Sequence, residues 1–176
     1  MKLYVTRHGE TVWNVENKVC GITDVELTEK GREQARALAE RVSGCGISRV
    51  IASPLKRAQE TARIIGSRYG LPVETDLRLT EQNYGIYEGV NGRDEGFLGN
   101  KRCFAYRYPG GESMMDVAHR TYGLIEELRE KYPGENVLLV CHGGVCRVIN
   151  TYFRDMTNEE FFRYSLGNCG VEEYEL

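Results

Sequence analysis

Apolar residues along the chain keep two rhythms. Short runs at residues 2–6 (KLYVT), residues 49–52 (RVIA) and Asn136–Cys141 (NVLLVC) each stop at a polar, glycine or proline signal, as strands do. The last is almost wholly apolar, the pattern of a strand buried on both faces. Between them, Ala35, Leu38, Ala39 and Val42 repeat at helical spacing after Thr28 and end at Ser43-Gly44. A second helix is expected over residues 54–69, with Ser53 as N-cap and Pro54 in the first turn. Met114, Val117, Ala118, Ile125 and Leu128 mark a long helix that starts at Ser113 and ends near Tyr132-Pro133-Gly134, and the period resumes over residues 145–153. Residues 71–74 and 171–174 read as weaker strands. Residues 80–108, rich in Gly, Asn and aromatics, keep no period and read as loop with some helix. Strands alternating with helices predict an α/β fold, a three-layer sandwich with a mostly parallel central sheet flanked by helices. With no repeat or linker along the chain, and Pro109-Gly110-Gly111 read as a loop, residues 1–176 are expected to form one domain.

Composition narrows the field of partners. The 176 residues are 41% hydrophobic and 28% charged, ordinary for a compact water-soluble protein. A net charge of -3 argues against general binding to nucleic acid or to an anionic membrane, which need a basic surface. A small anionic ligand stays open, because a cleft focuses the field of the few charges that line it. Cys20, Cys45, Cys103, Cys141, Cys146 and Cys169 form no C-x-x-C pair and no metal-ligand spacing, so neither disulfides nor a metal or other cofactor is expected. The start of the chain has too few residues before Arg7 for the apolar core of a signal peptide, and no segment reaches membrane-spanning length. The expected compartment is the cytoplasm. Monomer and dimer both stay open.

Candidate chemistry gathers at the strand ends. Arg7 and His8 follow the first strand, Arg57 the second, and His142 the long apolar one. Ligands of open α/β sheets bind outside the carboxyl ends of the strands, so separate segments bring two arginines and two histidines to one edge. Arginine forks match phosphate oxygens, and Gly143-Gly144 lets backbone N–H groups at a helix start approach the same oxygens. A neutral imidazole, with a reference pKa of about 6.5, is a nucleophile that works near neutral pH. His8 is the candidate. His119, mid-helix among charged residues, reads as surface. Arg93, Lys101, Arg102 and Arg107 read either as a solvated loop face or as the holder of a second anionic group.

The motifs Arg7-His8-Gly9-Glu10-Thr11 with Asn14, Cys20-Gly21, residues 27–31 (LTEKG) and residues 53–62 (SPLKRAQETA) follow one another in order. Leu79-Thr80-Glu81, Tyr84-Gly85, Glu88-Gly89, residues 109–113 (PGGES) and residues 140–144 (VCHGG) continue the series. Together they resemble the histidine phosphatase superfamily, which includes the cofactor-dependent phosphoglycerate mutases. The resemblance implies that His8 attacks phosphorus and carries the phosphoryl group, while Arg7, Asn14, Arg57, His142 and Gly143 hold its oxygens. It makes Glu81 the proton donor to the leaving oxygen, with Glu74, Asp76 and Glu88 as nearby competitors, and His142 is expected to be cationic once phosphate is bound. Gly21, Tyr84 and Arg107 are expected to contact substrate, Arg107 because residues 106–109 (YRYP) are similar to the fructose bisphosphatase branch. The stretch between Glu88 and Pro109 is shorter than in the mutases, which favours water as acceptor. The implied function is a phosphomonoesterase acting on a small phosphorylated metabolite such as a sugar phosphate. A mutase and a non-catalytic phospho-ligand scaffold are the alternatives; the presence of both His8 and Glu81 speaks against the scaffold.

Overall fold

A computed structural model describes all of residues 1–176. Five strands, β1 (Lys2–Arg7), β2 (Ile47–Ala52), β3 (Val73–Thr75), β4 (Asn136–Cys141) and β5 (Val171–Glu175), form one sheet in the order β3-β2-β4-β1-β5. All neighbours are parallel except β5, which runs antiparallel to β1. The helices are α1 (Val12–Val15), α2 (Glu29–Arg41), α3 (Lys56–Tyr69), α4 (Glu95–Lys101), α5 (Met114–Lys131), α6 (Gly143–Phe153) and α7 (Asn158–Arg163). No helix is long and apolar enough to cross a membrane.

Alternation within the strands divides the core into two layers. Tyr4, Val50, Ala52, Leu138 and Val140 face α2 and α3, which bury Ala35, Leu38, Ala58, Ala62 and Ile65 against them. Leu3, Val5, Ile51, Val137, Leu139 and Cys141 face α5 and α6, which supply Val117, Leu124, Ile125, Val145 and Ile149. Leu138, Leu139 and Val140 are wholly buried, as expected of a strand with helices on both sides. The three-layer sandwich expected from the sequence is what the chain forms.

Helix ends follow local chemistry. Thr28 Oγ1 accepts from the Gly31 N–H (3.0 Å) to start α2, and Ser113 starts α5 with a reciprocal capping box to Asp116. Gly70, at φ 64°, takes the left-handed turn that ends α3. The expected start of α3 is corrected. Ser53 is no N-cap; its hydroxyl accepts from the Leu55 N–H and meets His142, and the helix begins at Lys56. The short strand β3 lies at Val73–Thr75, two residues beyond its expected start, and α1 and α7 are single short helices that carry no sequence period. The aperiodic stretch contains α4 and a 3₁₀ turn at Gly85–Tyr87.

Candidate active site

Register builds the centre of the site. In the β1–β4 pairing Arg7 lies opposite Cys141, so His8 and His142, each one residue further, emerge side by side with ring centroids 5.1 Å apart. Helix α6, after β4, packs on one face of the sheet and α2, after β1, packs on the other, which opens a crevice between the two strand ends. The β2–β4 pairing ends at Ala52 opposite Val140, and Ser53 N–H donates to the Val140 carbonyl (3.0 Å). From there the first turn of α3 sends Arg57, wholly buried, beneath both imidazoles.

Arg57 Nε–H lies 3.2 Å from His8 Nε2 and 3.2 Å from His142 Nδ1. A guanidinium N–H can only donate, so both ring nitrogens present lone pairs. His8 therefore carries its proton on Nδ1 and gives it to the Gly9 carbonyl at 2.7 Å. His142 likewise carries its proton on Nε2, which donates to Ser53 Oγ at 2.7 Å. Burial above all, then Arg57 and Arg7, holds the His8 imidazole well below the ordinary 6.5, against the opposing pull of the Gly9 carbonyl. Burial, Arg57, His8 and Arg7 do the same to His142, so in the ligand-free protein both rings are neutral.

Arg57 is fixed by carbonyls of the 20–24 loop: Nη2 donates to Gly21 O (2.6 Å) and Nη1 to Thr23 O (2.9 Å). This corrects the expectation for Gly21. Its carbonyl anchors Arg57 and its N–H donates to Glu88, so it faces away from the cleft. Arg107 is corrected as well. Its guanidinium lies on the outer surface in a two-pronged pair with Asp116 at 2.8 Å, where α5 begins.

Arg7, His8, Asn14, Glu81, Tyr84 and Gly143 line one cleft of about 460 Å³, beside Trp13, Lys18, Cys20, Phe97, Lys101, Gly144, Arg147 and Asn168. Arg7 gives Nη1–H to the Leu166 carbonyl (3.1 Å), while its Nε–H, also buried, has no partner in the protein. Asn14 Oδ1 accepts from Thr11 N–H (3.1 Å) and Asn168 Nδ2–H (3.1 Å), which leaves its amide N–H groups as its free face. Glu81, 5% exposed, accepts from the Gly144 N–H (2.9 Å) and its neighbour Gln82 N–H (2.9 Å). A Cβ on Gly144 would sit 2.5 Å from Glu81 Oε1, so glycine there makes room for the carboxyl. The competing acids are engaged elsewhere: Glu74 with Arg49, Asp76 with Arg78, and Glu88 with the N–H groups of Gly21, Ile22, Thr23 and Tyr84. Cys20 is no rival nucleophile, its thiol being pushed up to about 11 by burial. Nor do any three His, Cys, Asp or Glu side chains converge as a metal cluster would require.

Of the loop cations grouped in the sequence, Lys101 turns into the cleft while Arg93, Arg102 and Arg107 are exposed. His119 is exposed, as expected. Among the cleft residues that escaped the sequence reading, two carry polar groups that bear on the site. Arg147 is the lone charge in the apolar helix α6 (GGVCRVINTYF), a signal that could have flagged it. Asn168 lies in an aperiodic loop stitched to β1 by Cys169 N–H donating to Arg7 O (3.0 Å), and nothing in its surroundings marks it.

Two histidines and two arginines gathered at the carboxyl edge of a parallel sheet, in this fold, mark the chain as a phosphoryl-transfer enzyme. The chain belongs to the histidine phosphatase superfamily, branch 1, whose family model matches residues 3–176. A Cronobacter sakazakii protein named probable phosphoglycerate mutase GpmB is 34% identical over an alignment of 188 residues, covering 97% of this chain and 83% of that protein. Among solved structures, Bacillus stearothermophilus YhfR superposes with a TM-score of 0.89 at 31% identity, covering 99% of this chain and 91% of that one. A mycobacterial glucosyl-3-phosphoglycerate phosphatase in complex with VO3 superposes at 0.87 with 33% identity, covering 98% and 91%. The alpha-ribazole phosphatase of Shigella flexneri gives 0.87 at 28% identity, covering 100% and 91%.

Proposed function

We propose that this enzyme is a phosphomonoesterase that hydrolyses a small phosphorylated metabolite through a phosphohistidine at His8. The observation that carries this reading is the pair of contacts on the His8 ring: Nδ1–H donates to Gly9 O at 2.7 Å, which points the Nε2 lone pair towards the arginines. In the free enzyme the Arg57 Nε–H covers that lone pair. A phosphoryl oxygen that takes over this donor frees Nε2 to attack phosphorus in line, opposite the leaving oxygen. Arg7, with its unpartnered Nε–H, the amide of Asn14, the Gly143 N–H at the start of α6, and His142 stabilise the phosphoryl oxygens as charge moves onto them. Glu81 gives a proton to the leaving oxygen, then takes one from the water that attacks the phosphohistidine and restores His8. Tyr84, its phenol kept protonated by burial, lines the cleft beside Glu81 and contacts the leaving group.

Release of phosphate from p-nitrophenyl phosphate without added metal, together with an acid-labile phosphoprotein trapped by rapid quenching, tests this directly. His8→Ala is expected to lose both signals, and retention of turnover by that variant would exclude His8 as nucleophile. The relatives named probable phosphoglycerate mutase support a second reading, transfer to another hydroxyl of the substrate. Isomerised product without free phosphate would select it.

A further inference from the structure

The segment that carries Glu81 is held from behind, by residues that do not line the cleft. Of residues 109–113 (PGGES), one of the motifs of the sequence, none borders the cleft. They pack against residues 82–85 instead, so closely that a Cβ on Gly111 would lie 2.2 Å from the Asn83 carbonyl oxygen. Glu112 makes the connection. Its N–H donates to Asn83 O (2.9 Å), its carbonyl accepts from Gln82 Nε2–H (3.1 Å), and its Oε2 accepts from the Asn83 N–H (2.9 Å).

Arg120, on α5, completes the tie. Its Nε–H donates to Glu112 Oε1 (3.2 Å), its Nη2–H groups to Glu112 Oε2 (3.3 Å) and the Glu81 carbonyl (3.3 Å), and its Nη1–H to the Arg78 carbonyl. One planar fork thus engages four acceptors, two of them main-chain carbonyls of the segment that bears the acid. Beyond residues 76–85, the main chain of residues 78–83 finds hydrogen-bond partners only in Glu112 and Arg120. The N–H groups of Gln82 and Gly144 aim the Glu81 carboxyl, but they do not set where its Cα stands. That placement matters, because an acid must be within hydrogen-bond reach of the leaving oxygen and a shift of about 1 Å can cost about 100-fold in rate.

We propose that Arg120, paired with Glu112, is the positioning residue of the general acid, and that the PGGES turn serves to hold Glu81 at the distance the leaving oxygen requires. The inference rests on the reading of Glu81 as the acid and adds to it the parts that hold the acid in place. Arg120 touches neither phosphate nor leaving group. It does not line the cleft; with Glu112 and Asn83 it borders a separate cavity of about 330 Å³, which Glu81 also reaches. Its effect on the reaction passes through the main chain of residues 78–83, as a supporting layer of hydrogen bonds fixes a catalytic group.

Phosphate release from a series of aryl phosphates, running from p-nitrophenyl phosphate to phenyl phosphate, tests this. Loss of an acid steepens the dependence of kcat/KM on leaving-group pKa, because poor leaving oxygens need the proton most. Arg120→Met is expected to reproduce the steep dependence of Glu81→Gln, with kcat down about 100-fold on phenyl phosphate and about threefold on p-nitrophenyl phosphate. Inhibition by inorganic phosphate should stay as in the wild type. In the double variant the two losses should not add, since one acts through the other. Arg120→Lys keeps the charge but cannot span four acceptors, so it should show a milder steepening, and it carries the test should Arg120→Met not fold. A loss equal across the series, or losses that add in the double variant, would make Arg120 merely structural and overturn the proposal. If Glu81→Gln keeps the shallow dependence of the wild type, the reading of Glu81 as the acid fails and takes the proposal with it. A steep Glu81→Gln beside a shallow Arg120→Met overturns the proposal alone.

Discussion

Most side chains around His8 act by fixing one another's orientation. Asn168 shows how far this reaches: its amide donates to the His8 carbonyl (3.0 Å) and to Asn14 Oδ1 (3.1 Å), so the Asn14 amide can turn only its N–H groups to the cleft. Asn168→Asp removes that donor and sets a carboxylate against Asn14 Oδ1. The Asn14 amide, then held on the Thr11 N–H alone and repelled by the new carboxylate, is expected to lose its fixed orientation towards phosphate. Inhibition by inorganic phosphate should weaken about tenfold or more, with KM rising more than kcat falls, and Asn168→Ser, which keeps a donor, should restore part of it. Equal losses in KM and kcat would point to general disruption instead. The sequence disclosed the members of the site that stand at strand ends, Arg7, His8 and His142, because a basic residue after an apolar run has few structural uses there. It misplaced Gly21 and Arg107, whose motif positions say nothing about which way a carbonyl or guanidinium turns. For Arg147 and Asn168 the information lies in folding, which brings them to the cleft from late in the chain.

At the scale of elements, the start of α6 is where fold and chemistry share atoms. His142 is its N-cap, Gly143 its first residue, and the Gly144 N–H holds Glu81 (2.9 Å). One helix start therefore sets the spacing between the phosphate-facing groups and the acid. Gly144→Ala introduces a methyl 2.5 Å from Glu81 Oε1 and is expected to expel the carboxyl. Activity on alkyl phosphates should fall about 100-fold or more, with a smaller loss on p-nitrophenyl phosphate, whose good leaving group needs less help from an acid. A thermal midpoint close to that of the wild type would confirm that geometry, not folding, is lost. Long elements with a strong period were legible in advance, from β1 through α6. The short helices α1 and α7 were not, and α4 was legible only as some helix within the aperiodic stretch, since one or two turns held by caps and tertiary contacts have no period to read. Ser53-Pro54 misled for a chemical reason: the hydroxyl suited to capping α3 is used to orient His142.

For the molecule as a whole, keeping two neutral imidazoles in the interior ties stability to pH. Both have folded pKa values well below 6.5, whereas in the unfolded chain they protonate near 6.5. Below that value the unfolded state binds protons the folded state refuses, so stability present at neutral pH is lost as pH falls. The slope can reach about 1.4 kcal/mol per pH unit for each histidine. Thermal midpoints measured from pH 7.5 to pH 5 should decline, less steeply in His8→Asn. Saturating inorganic phosphate should offset the loss, since an anion bound between the rings favours their charged forms. A midpoint independent of pH over this range, or a decline unchanged in His8→Asn, would contradict the burial of the pair as neutral groups.

The place of β1 in the sheet has a consequence in time. The first strand to be synthesised lies between β4 and β5, the last two, and pairs with both. On the ribosome it must wait, its two edges unpaired, while β2, β3 and the helices that cover them are made. His8 acquires its neighbour His142 only when residues 136–141 have emerged and closed the register, and Asn168 follows later still. Arg7 and His8 are thus the first part of the cleft to be made and among the last to gain their full surroundings, so on the reading proposed above a partly made chain lacks the groups that orient the nucleophile.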